Sequence, residues 1–486
     1  MLVRLGSEDI RVVMRDVGSL IKWSSTLFAI PFLAGLWFHE AVFVLLVYAL
    51  VSAFSFVLGL SLKRAFDTNA ETDLKHAFMI VAIIWLVFTA ISAIPFSLIM
   101  GMGFVDSFFE TMSAITTTGI SIMAPFIDSA PKSLILWRSF ISWMGGIGII
   151  VLGMMGIFTT YTKSAKLMVA EGRESTVRPN FRNTAKEIWI IYIFLTAFCV
   201  GLLLLAGLDL FQAINYGMSA ISTTGMDSSS AGLIGANVWV VLAMVATMLI
   251  GATSFSLHYL FLRKRDYMAY LRDNEFKAMI SVLVISVLLV LPKMIAFYPI
   301  ASNALQVALF HNTSALTGGG FYTVSIGEFS RWGDFSIMVL LGLMVIGASS
   351  NSTGGGIKVS RAMIFVKSIY WRIKELILPK DSFFQKKFDG KLIENRQVRE
   401  VNQFILLYLV LIAAGVFVLT LEGAGFEESL FSVVSAQGNV GLQEQLVDIT
   451  MPLASKIMLI FNMWVGRLEI IPLLSAIGFA LSFKKT

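Results

Sequence analysis

The chain is poor in cysteine, histidine and charge, and each shortage closes a class of function. One cysteine among 486 residues, Cys199 in "FLTAFCVGLLLL", excludes an intrachain disulfide and reads as a small packing or lipid-facing residue. The four histidines, His39, His76, His258 and His311, are scattered. No HExxH, cysteine-pair or paired-carboxylate pattern argues for a metal site or a hydrolase. His311 reads as a packing residue, with support of the following segment as the alternative. Only 14% of residues are charged, against about a quarter in a soluble domain. The net charge of +6 is modest and its bases cluster in particular loops, so it reads as membrane topology rather than nucleic-acid binding. Intramembrane acid–base residues that would mark a proton relay or an intramembrane enzyme are not evident. The glycines at 354–356 precede Lys358 but lack Walker A spacing and its Ser/Thr. A cleavable signal is not expected, because the first apolar run is long, lacks a small-residue cleavage site and is followed at once by a second.

What the chain has is apolar length: 57% of it is hydrophobic. Runs of about 20 apolar residues suit a bilayer core. Candidate spans are 20–38, 41–61, 77–99, 134–158, 188–206, 237–262, 278–297, 335–348 with 357–371, 401–420 and 455–482. Four pieces near 104–115, 209–221, 304–316 and 427–437 are too short to cross and read as re-entrant helices. One set of loops is basic, at Lys63–Lys75, Lys163–Lys186, Arg263–Lys277, Lys367–Arg399 and Lys484–Lys485. The opposite set carries Glu40, Asp106, Glu110, Asp128, Asp209, Asp227, Glu328, Glu427, Glu428 and Glu444. The basic set is cytoplasmic by the positive-inside rule, so all four short pieces enter from outside. An acidic outer face concentrates cations.

The short pieces repeat one another. "DSFFETMSAITTTGIS", "QAINYGMSAISTTGMD", "VALFHNTSALTGGGFY" and "ESLFSVVSAQGNVGLQ" align without gaps on Ser-Ala pairs beginning at Ser113, Ser219, Ser314 and Ser435. Phe109, Phe310 and Phe431 then share a column, with Asn215 the exception, and Gly119, Gly225, Gly320 and Gly441 share another. The glycines are 106, 95 and 121 residues apart, each within a span–short piece–span unit. The fold expected is an all-α, multi-pass membrane protein: four pseudo-symmetric span–pore-helix–span repeats around a central pore, plus an N-terminal pair of spans. The units are 1–70 for that pair, then repeats at 71–165, 166–265, 266–375 and 376–486.

Non-helical backbone at membrane depth survives only where protein or a wet cavity satisfies it. The segments after the short helices therefore line something wet, where carbonyls and Thr hydroxyls are the available ligands. Oxygen ligands suit a hard cation, and glycine lets the backbone turn its carbonyls to one axis. The expected filter comprises Thr116, Thr117, Thr118 and Gly119; Ser222, Thr223, Thr224 and Gly225; Thr317, Gly318, Gly319 and Gly320; and Gly438, Asn439, Val440 and Gly441. It contains no Asp or Glu, which points to a weakly hydrated monovalent ion such as K⁺ rather than a divalent ion. The fourth segment lacks the Thr run of the first two, so equal ligation from four sides is not assured. Helices entering from outside aim their partly negative C-termini at a cation below the ring.

Two further features stand out. The span at 335–348 breaks into "GASSNSTGGGIK", whose polar residues cannot face lipid. Residues Ser349, Ser350, Asn351, Ser352, Thr353, Gly354, Gly355 and Gly356 read as a flexible loop obstructing the pore below the filter. The alternative is a cytoplasmic loop between a short span and an amphipathic helix. Lys358 either steers this gate or snorkels. Arg467 lies inside the last span, where an arginine faces a cavity or a partner. It either tunes the passing cation or pairs structurally with carbonyls or an acid; Glu469 is on another face. Arg138 and Lys293, near outer span ends, read as snorkelling. Gly145, Gly146, Gly148, Gly153 and Gly156 suggest close helix packing.

These motifs, together with "SSNSTGGGIKVSR" at 349–361, "NMWVGRLE" at 462–469 and the extra N-terminal spans, resemble the Trk/Ktr/HKT superfamily of potassium transport proteins, its TrkH branch best. The resemblance covers nearly the whole chain. It implies a single-chain pseudo-tetramer that forms homodimers and takes up K⁺ across the plasma membrane, the inner membrane in a Gram-negative bacterium. It supports 349–356 as an intramembrane gate and an arginine at 467 pointing into the pore. It implies a cytosolic RCK-type nucleotide-binding regulatory subunit, TrkA-like, docking on basic loops such as 162–187 and 263–277. The chain itself would carry no cofactor, K⁺ being its cargo, and it would not be an enzyme. In the plant HKT branch a serine at the first filter glycine accompanies sodium preference; Gly119 here favours K⁺. A sodium-permeable HKT-like transporter is the alternative, and a sensor subunit that transports nothing is a further one.

Overall fold

The computed structural model describes residues 6–154, 181–379, 384–444 and 446–468. The described residues are mostly helical. In order the helices are α1 (Ser7–Ser24), α2 (Ala29–Trp37), α3 (Val42–Ala65), α4 (Leu74–Met100), α5 (Phe104–Ile115), α6 (Lys132–Met154), α7 (Phe181–Leu205), α8 (Leu210–Ile221), α9 (Val238–Ala252), α10 (Phe255–Lys264), α11 (Asn274–Phe297), α12 (Ala301–Thr317), α13 (Asp334–Ile346), α14 (Val359–Ile377), α15 (Asn395–Leu421), α16 (Phe426–Gly438) and α17 (Leu453–Leu468). A two-stranded hairpin, β1 (Lys387–Phe388) with β2 (Lys391–Leu392), lies between α14 and α15. Among the described residues six helices are long and apolar enough to cross a membrane, seven if α9 and α10 form one bent span. The basic stretch 162–180, the far end of the last span, Glu469 and Lys484–Lys485 lie outside the described residues.

The four short apolar pieces are the helices α5, α8, α12 and α16, each ending within the protein. Their second halves are buried without interruption, polar residues included: Ser113, Thr111, Ser219, Asn312, Thr313 and Ser435 are all nearly inaccessible. Buried hydroxyls need backbone partners, and several find them one turn back, as when Thr111 donates to the Ser107 carbonyl at 2.7 Å and Thr317 to the Thr313 carbonyl at 2.7 Å. The spans after them press glycine against the short helices' C-terminal ends. A side chain on Gly145 of α6 would meet the Ile115 carbonyl, one on Gly251 of α9 the Ile221 carbonyl, and one on Gly466 of α17 the Gln437 carbonyl. The same step therefore recurs at the same place in three repeats, where backbone touches backbone. The N-terminal pair is braced internally by Arg15, which donates to the Thr68 and Ala70 carbonyls at 2.7 and 3.0 Å, and is tied on by His76 of α4, whose Nε2 meets Asp9 Oδ1 of α1 at 2.7 Å.

Three expectations change. The first span begins at Ser7 rather than 20, as α1 and α2 joined by a 3₁₀ turn, Ser25–Phe28. The stretch 237–262 is not one straight span: α9 and α10 meet at 97° across Thr253 and Ser254. Arg138 does not snorkel. It is 1% exposed and pairs with Glu110 of α5 at 2.9 Å. Glu110 also accepts from Ser121 Oγ at 2.8 Å and from the Ile122 and Met123 N–H groups at 3.1 and 3.3 Å. The pair is fully enclosed, so it holds only while both charges are present. His311 packs as expected, edge-on to Trp332 at 4.8 Å between ring centres.

Glu110→Ala strands the Arg138 guanidinium and is expected to destabilise the protein by about 3–5 kcal/mol. The readout is the unfolding temperature in detergent, and an unchanged value would remove the pair from the account of stability.

Candidate functional site

Each short helix runs out at its Ser-Ala pair and the chain then makes the same turn four times. The N–H of the fifth residue after each serine returns to that serine's carbonyl: Thr118 to Ser113 at 2.8 Å, Thr224 to Ser219 at 2.9 Å, Gly319 to Ser314 at 2.8 Å and Val440 to Ser435 at 2.9 Å. One residue earlier the backbone is left-handed in every repeat, with φ of 54° at Thr117, 54° at Thr223, 76° at Gly318 and 50° at Asn439. It is left-handed again at the four aligned glycines, with φ of 91°, 75°, 69° and 100° at Gly119, Gly225, Gly320 and Gly441. The intervening residue keeps a negative φ in all four. Alternating hand turns successive carbonyls to one side of the strand, in place of the outward alternation of extended chain. Glycine takes this conformation freely. Asn439 also tolerates it, but Thr117 and Thr223 do not, and such strain persists only where the surroundings dictate it.

The four turns close into a ring. A Cβ placed on Gly119 would stand 3.3 Å from Gly225 Cα, one on Gly225 2.7 Å from Gly320 Cα, one on Gly320 3.0 Å from Gly441 Cα, and one on Gly441 3.2 Å from Gly119 Cα. In the same cyclic order these added atoms would strike the carbonyl oxygens of Thr224, Gly319, Val440 and Thr118. Four backbone carbonyls at one register therefore circle one axis, whatever side chain the residue carries. The weaker-looking fourth segment contributes Val440 like the rest. Most hydroxyls near the ring serve as struts. Thr116 Oγ1 donates to the Met112 carbonyl at 2.6 Å and meets Thr118 Oγ1 at 2.8 Å, and Ser222 meets Thr224 at 2.7 Å. Asn439 Nδ2 reaches Thr118 Oγ1 and the Met463 carbonyl, both at 2.9 Å, joining the first and fourth segments. Thr117 Oγ1 is buried and has no hydrogen-bond partner among the described residues.

Above the ring lies a cavity of about 110 Å³ lined by all four glycines. The eighth residues after the serines, Ser121, Asp227, Tyr322 and Gln443, form its rim. Gln443 Oε1 accepts from the Ser121 N–H at 3.0 Å, Tyr322 donates to the Gln443 carbonyl at 2.7 Å, and Arg138 donates to the Asp227 carbonyl, so the repeats are stitched together around the mouth. Asp227 is the one carboxylate among these lining residues. Burial pushes it up to about 7, against the pull of Arg138. Nearby in the fourth segment, burial and the charges of Glu427 and Glu428 push Glu444 up to about 7.

Below the ring, residues 349–356 return into the protein. The base is closed where the Ile357 and Lys358 N–H groups reach the Val345 and Ile346 carbonyls at 3.0 and 2.9 Å. Ser349, Ser352, Thr353, Gly354 and Gly355 are buried, while Asn351 is exposed and Ser350 and Gly356 are half-buried. Most of the segment is therefore enclosed by protein. Thr353 Oγ1 reaches the Ile221 and Gly251 carbonyls at 2.9 and 2.8 Å. A Cβ on Gly354 would stand 2.6 Å from the Thr317 carbonyl, and one on Gly355 3.0 Å from Asn439 Cβ and against the Gly438 carbonyl. Arg467 is buried and donates to the Thr353 carbonyl at 2.6 Å and to the Gly145 carbonyl at 3.0 Å. Lys358 Nζ donates to the Gly354 carbonyl. The break between α9 and α10 belongs to this contact, since the Phe255 N–H freed there donates to the Asn351 carbonyl at 3.0 Å. Sequence gave no sign of that pairing, nor of the Glu110–Arg138 pair, because both join distant segments.

A profile of the TrkH family, described as cation transport protein, matches residues 46–481. The chain belongs to the TrkH family. An uncharacterized cation transporter of Methanocaldococcus jannaschii is 32% identical over 100% of this chain and 98% of its own. The Trk system potassium uptake protein TrkH of Escherichia coli K12 is 30% identical over 84% of this chain and 86% of its own. The crystal structure of the potassium transporter TrkH from Vibrio parahaemolyticus superposes with a TM-score of 0.83 at 26% identity, covering 96% of this chain and 98% of that one. TrkH members are transport proteins rather than enzymes, and this one is a mostly helical, multi-pass protein of the plasma membrane.

In a TrkH protein with this ring, a methyl group at Gly119 has nowhere to go and the φ of 91° becomes strained. Gly119→Ala is expected to cut cation flux into proteoliposomes by about tenfold or more, while the folded fraction on size exclusion is retained. Undiminished flux would mean that the ions do not pass the ring.

Proposed function

We propose that this chain carries K⁺ into the cell through the ring, as the Trk system relatives are named for doing. The observation that carries the reading is the closed circle of the Thr118, Thr224, Gly319 and Val440 carbonyls. Neutral carbonyls can replace the hydration shell of a weakly hydrated monovalent ion without binding it too tightly to leave. The filter is the set named from sequence: Thr116–Gly119, Ser222–Gly225, Thr317–Gly320 and Gly438–Gly441. Within it the carbonyls do most of the ligation, and Thr117 is the hydroxyl left open. The ends of α5, α8, α12 and α16 place partial negative charge just below.

The gate is the loop 349–356 with Lys358. Its contacts with Thr317, Gly438 and Ile221 put it against three filter segments, and Arg467 fastens it to Gly145 of the first repeat. Arg467 and Lys358 also bring cationic groups beneath the filter, where they oppose a descending cation while the loop is closed. The sequence units 71–165, 166–265, 266–375 and 376–486 serve as the four quarters of the pore and 1–70 as an accessory pair. The protein works as a homodimer with a cytosolic nucleotide-binding RCK-type subunit that opens the loop. Cation flux into proteoliposomes tests this: K⁺ is expected to exceed Na⁺, with stimulation by the cytosolic partner. Equal Na⁺ and K⁺ flux would favour the HKT-like alternative, and no flux with the partner present would favour a sensor.

The mouth adds a pH dependence. Burial pushes both Asp227 and Glu444 up to about 7, so they are charged above that value and take up protons as the outside pH falls through it. The mouth then loses negative charge and local K⁺ falls. The half-saturating K⁺ concentration is expected to rise severalfold between outside pH 8 and 6, and Asp227→Asn to flatten that rise. A constant unaffected by pH would contradict it.

A further inference from the structure

The loop under the filter is held near its tip by Thr353 and Arg467, but its two limbs are also gathered at the base by one side chain from another helix. Glu275, the second residue of α11, accepts from the Ser350 N–H at 2.7 Å and from the Ser360 N–H at 3.0 Å, both on the same oxygen, Oε1. Ser350 Oγ and Ser360 Oγ meet each other at 2.5 Å beside it. Ser350 lies on the descending limb, and Ser360 is the second residue of α14, where the chain has left the loop. The first N–H groups of a helix have no partner within it, and α14 has no side-chain cap of its own from Lys358. Glu275 supplies that cap from outside and places a negative charge at the positive end of the helix dipole.

We infer that Glu275 is the positioning residue that latches the loop in its closed position, by joining both limbs through one carboxylate. The inference rests on the gate reading above. Its physical content is that a carboxylate binding two N–H groups makes charge-assisted bonds, stronger than neutral ones, and that both are lost together when the limbs part. The latch also has a handle. It stands at the start of α11, directly after the segment bearing Arg265 and Arg272. The neighbouring Asn274 Nδ2 donates to Asp389 Oδ1 of the hairpin turn at 2.8 Å. Arg272, Tyr267 and Leu271 are exposed there. A displacement of this basic end of α11 carries Glu275 away from Ser350 and Ser360 and frees the base of the loop, with no change at the filter.

The test is K⁺ flux into proteoliposomes without any cytosolic partner, using Glu275→Gln and Glu275→Asp. The Gln variant keeps the shape and removes the charge; the Asp variant keeps the charge and withdraws it by one methylene. Basal flux is expected to rise about tenfold for Gln and less for Asp, with the K⁺ to Na⁺ ratio unchanged because the ring is untouched. In a Ser350→Cys background the introduced thiol is expected to react faster with a water-soluble reagent when Glu275→Gln is added, a readout available even at low flux. Unchanged or lower basal flux with unchanged thiol reactivity overturns the latch. Deletion of Gly354–Gly356 separates the two readings. If the deletion raises flux and Glu275→Gln does not, the gate stands and the latch falls; if neither raises it, the gate reading falls as well.

Discussion

Everything in this protein is arranged around one requirement: four stretches of non-helical backbone must meet at membrane depth with their carbonyls facing one another. Lipid cannot satisfy such groups, so protein must surround them on every side but one. The glycine at each corner follows from this, since a single Cβ at Gly119, Gly225, Gly320 or Gly441 would occupy the space of the neighbouring segment's carbonyl. So do the buried hydroxyls behind the ring, which tie Thr116 to Thr118, Ser222 to Thr224, and Asn439 to Thr118. The glycines of α6, α9 and α17 follow as well, because only they let a spanning helix touch the end of a short one.

Around this near-fourfold centre the repeats have diverged in ways that divide the labour. The first commits a buried ion pair, Glu110 with Arg138, to fixing the segment after its filter. The second supplies the carboxylate of the rim, Asp227. The third gives up a continuous inner helix, and the break between α13 and α14 becomes the loop below the ring. The fourth sends Arg467 to that loop and on to the neighbouring first repeat. Electrostatics then run in sequence along one axis: carboxylates at the mouth, neutral carbonyls in the ring, helix C-termini beneath it, and the cationic side chains of Lys358 and Arg467 against the loop. Each sign comes from a different structural source, so each can vary without rebuilding the others.

Much of this was legible in the chain. The four short helices were found within a few residues because length separates a re-entrant piece from a span, and their register was fixed by Ser-Ala and glycine. What was missed shares one cause. Arg138 near a span end looks like a snorkelling arginine until Glu110, 28 residues away, is placed beside it. The bend at Thr253 and Ser254 lies inside a convincing hydrophobic run and exists because the Asn351 carbonyl, far along the chain, takes the Phe255 N–H. The left-handed Thr117 and Thr223 contradict their own residue type, and only the closed ring holds them there.

Hydrophobic length and a recurring glycine therefore determined, from sequence alone, that the chain crosses a membrane repeatedly and turns back into it four times. Those signals are local, and each is complete within some twenty residues. Tertiary structure alone decided which atoms face the axis. The four carbonyls become equivalent only when the segments close on one another, so that Val440 in an unpromising "GNVGL" stands level with Thr118 in "TTTG". The sequence identified the side chains, whereas the site is built mainly of backbone, whose direction is set by neighbours hundreds of residues away.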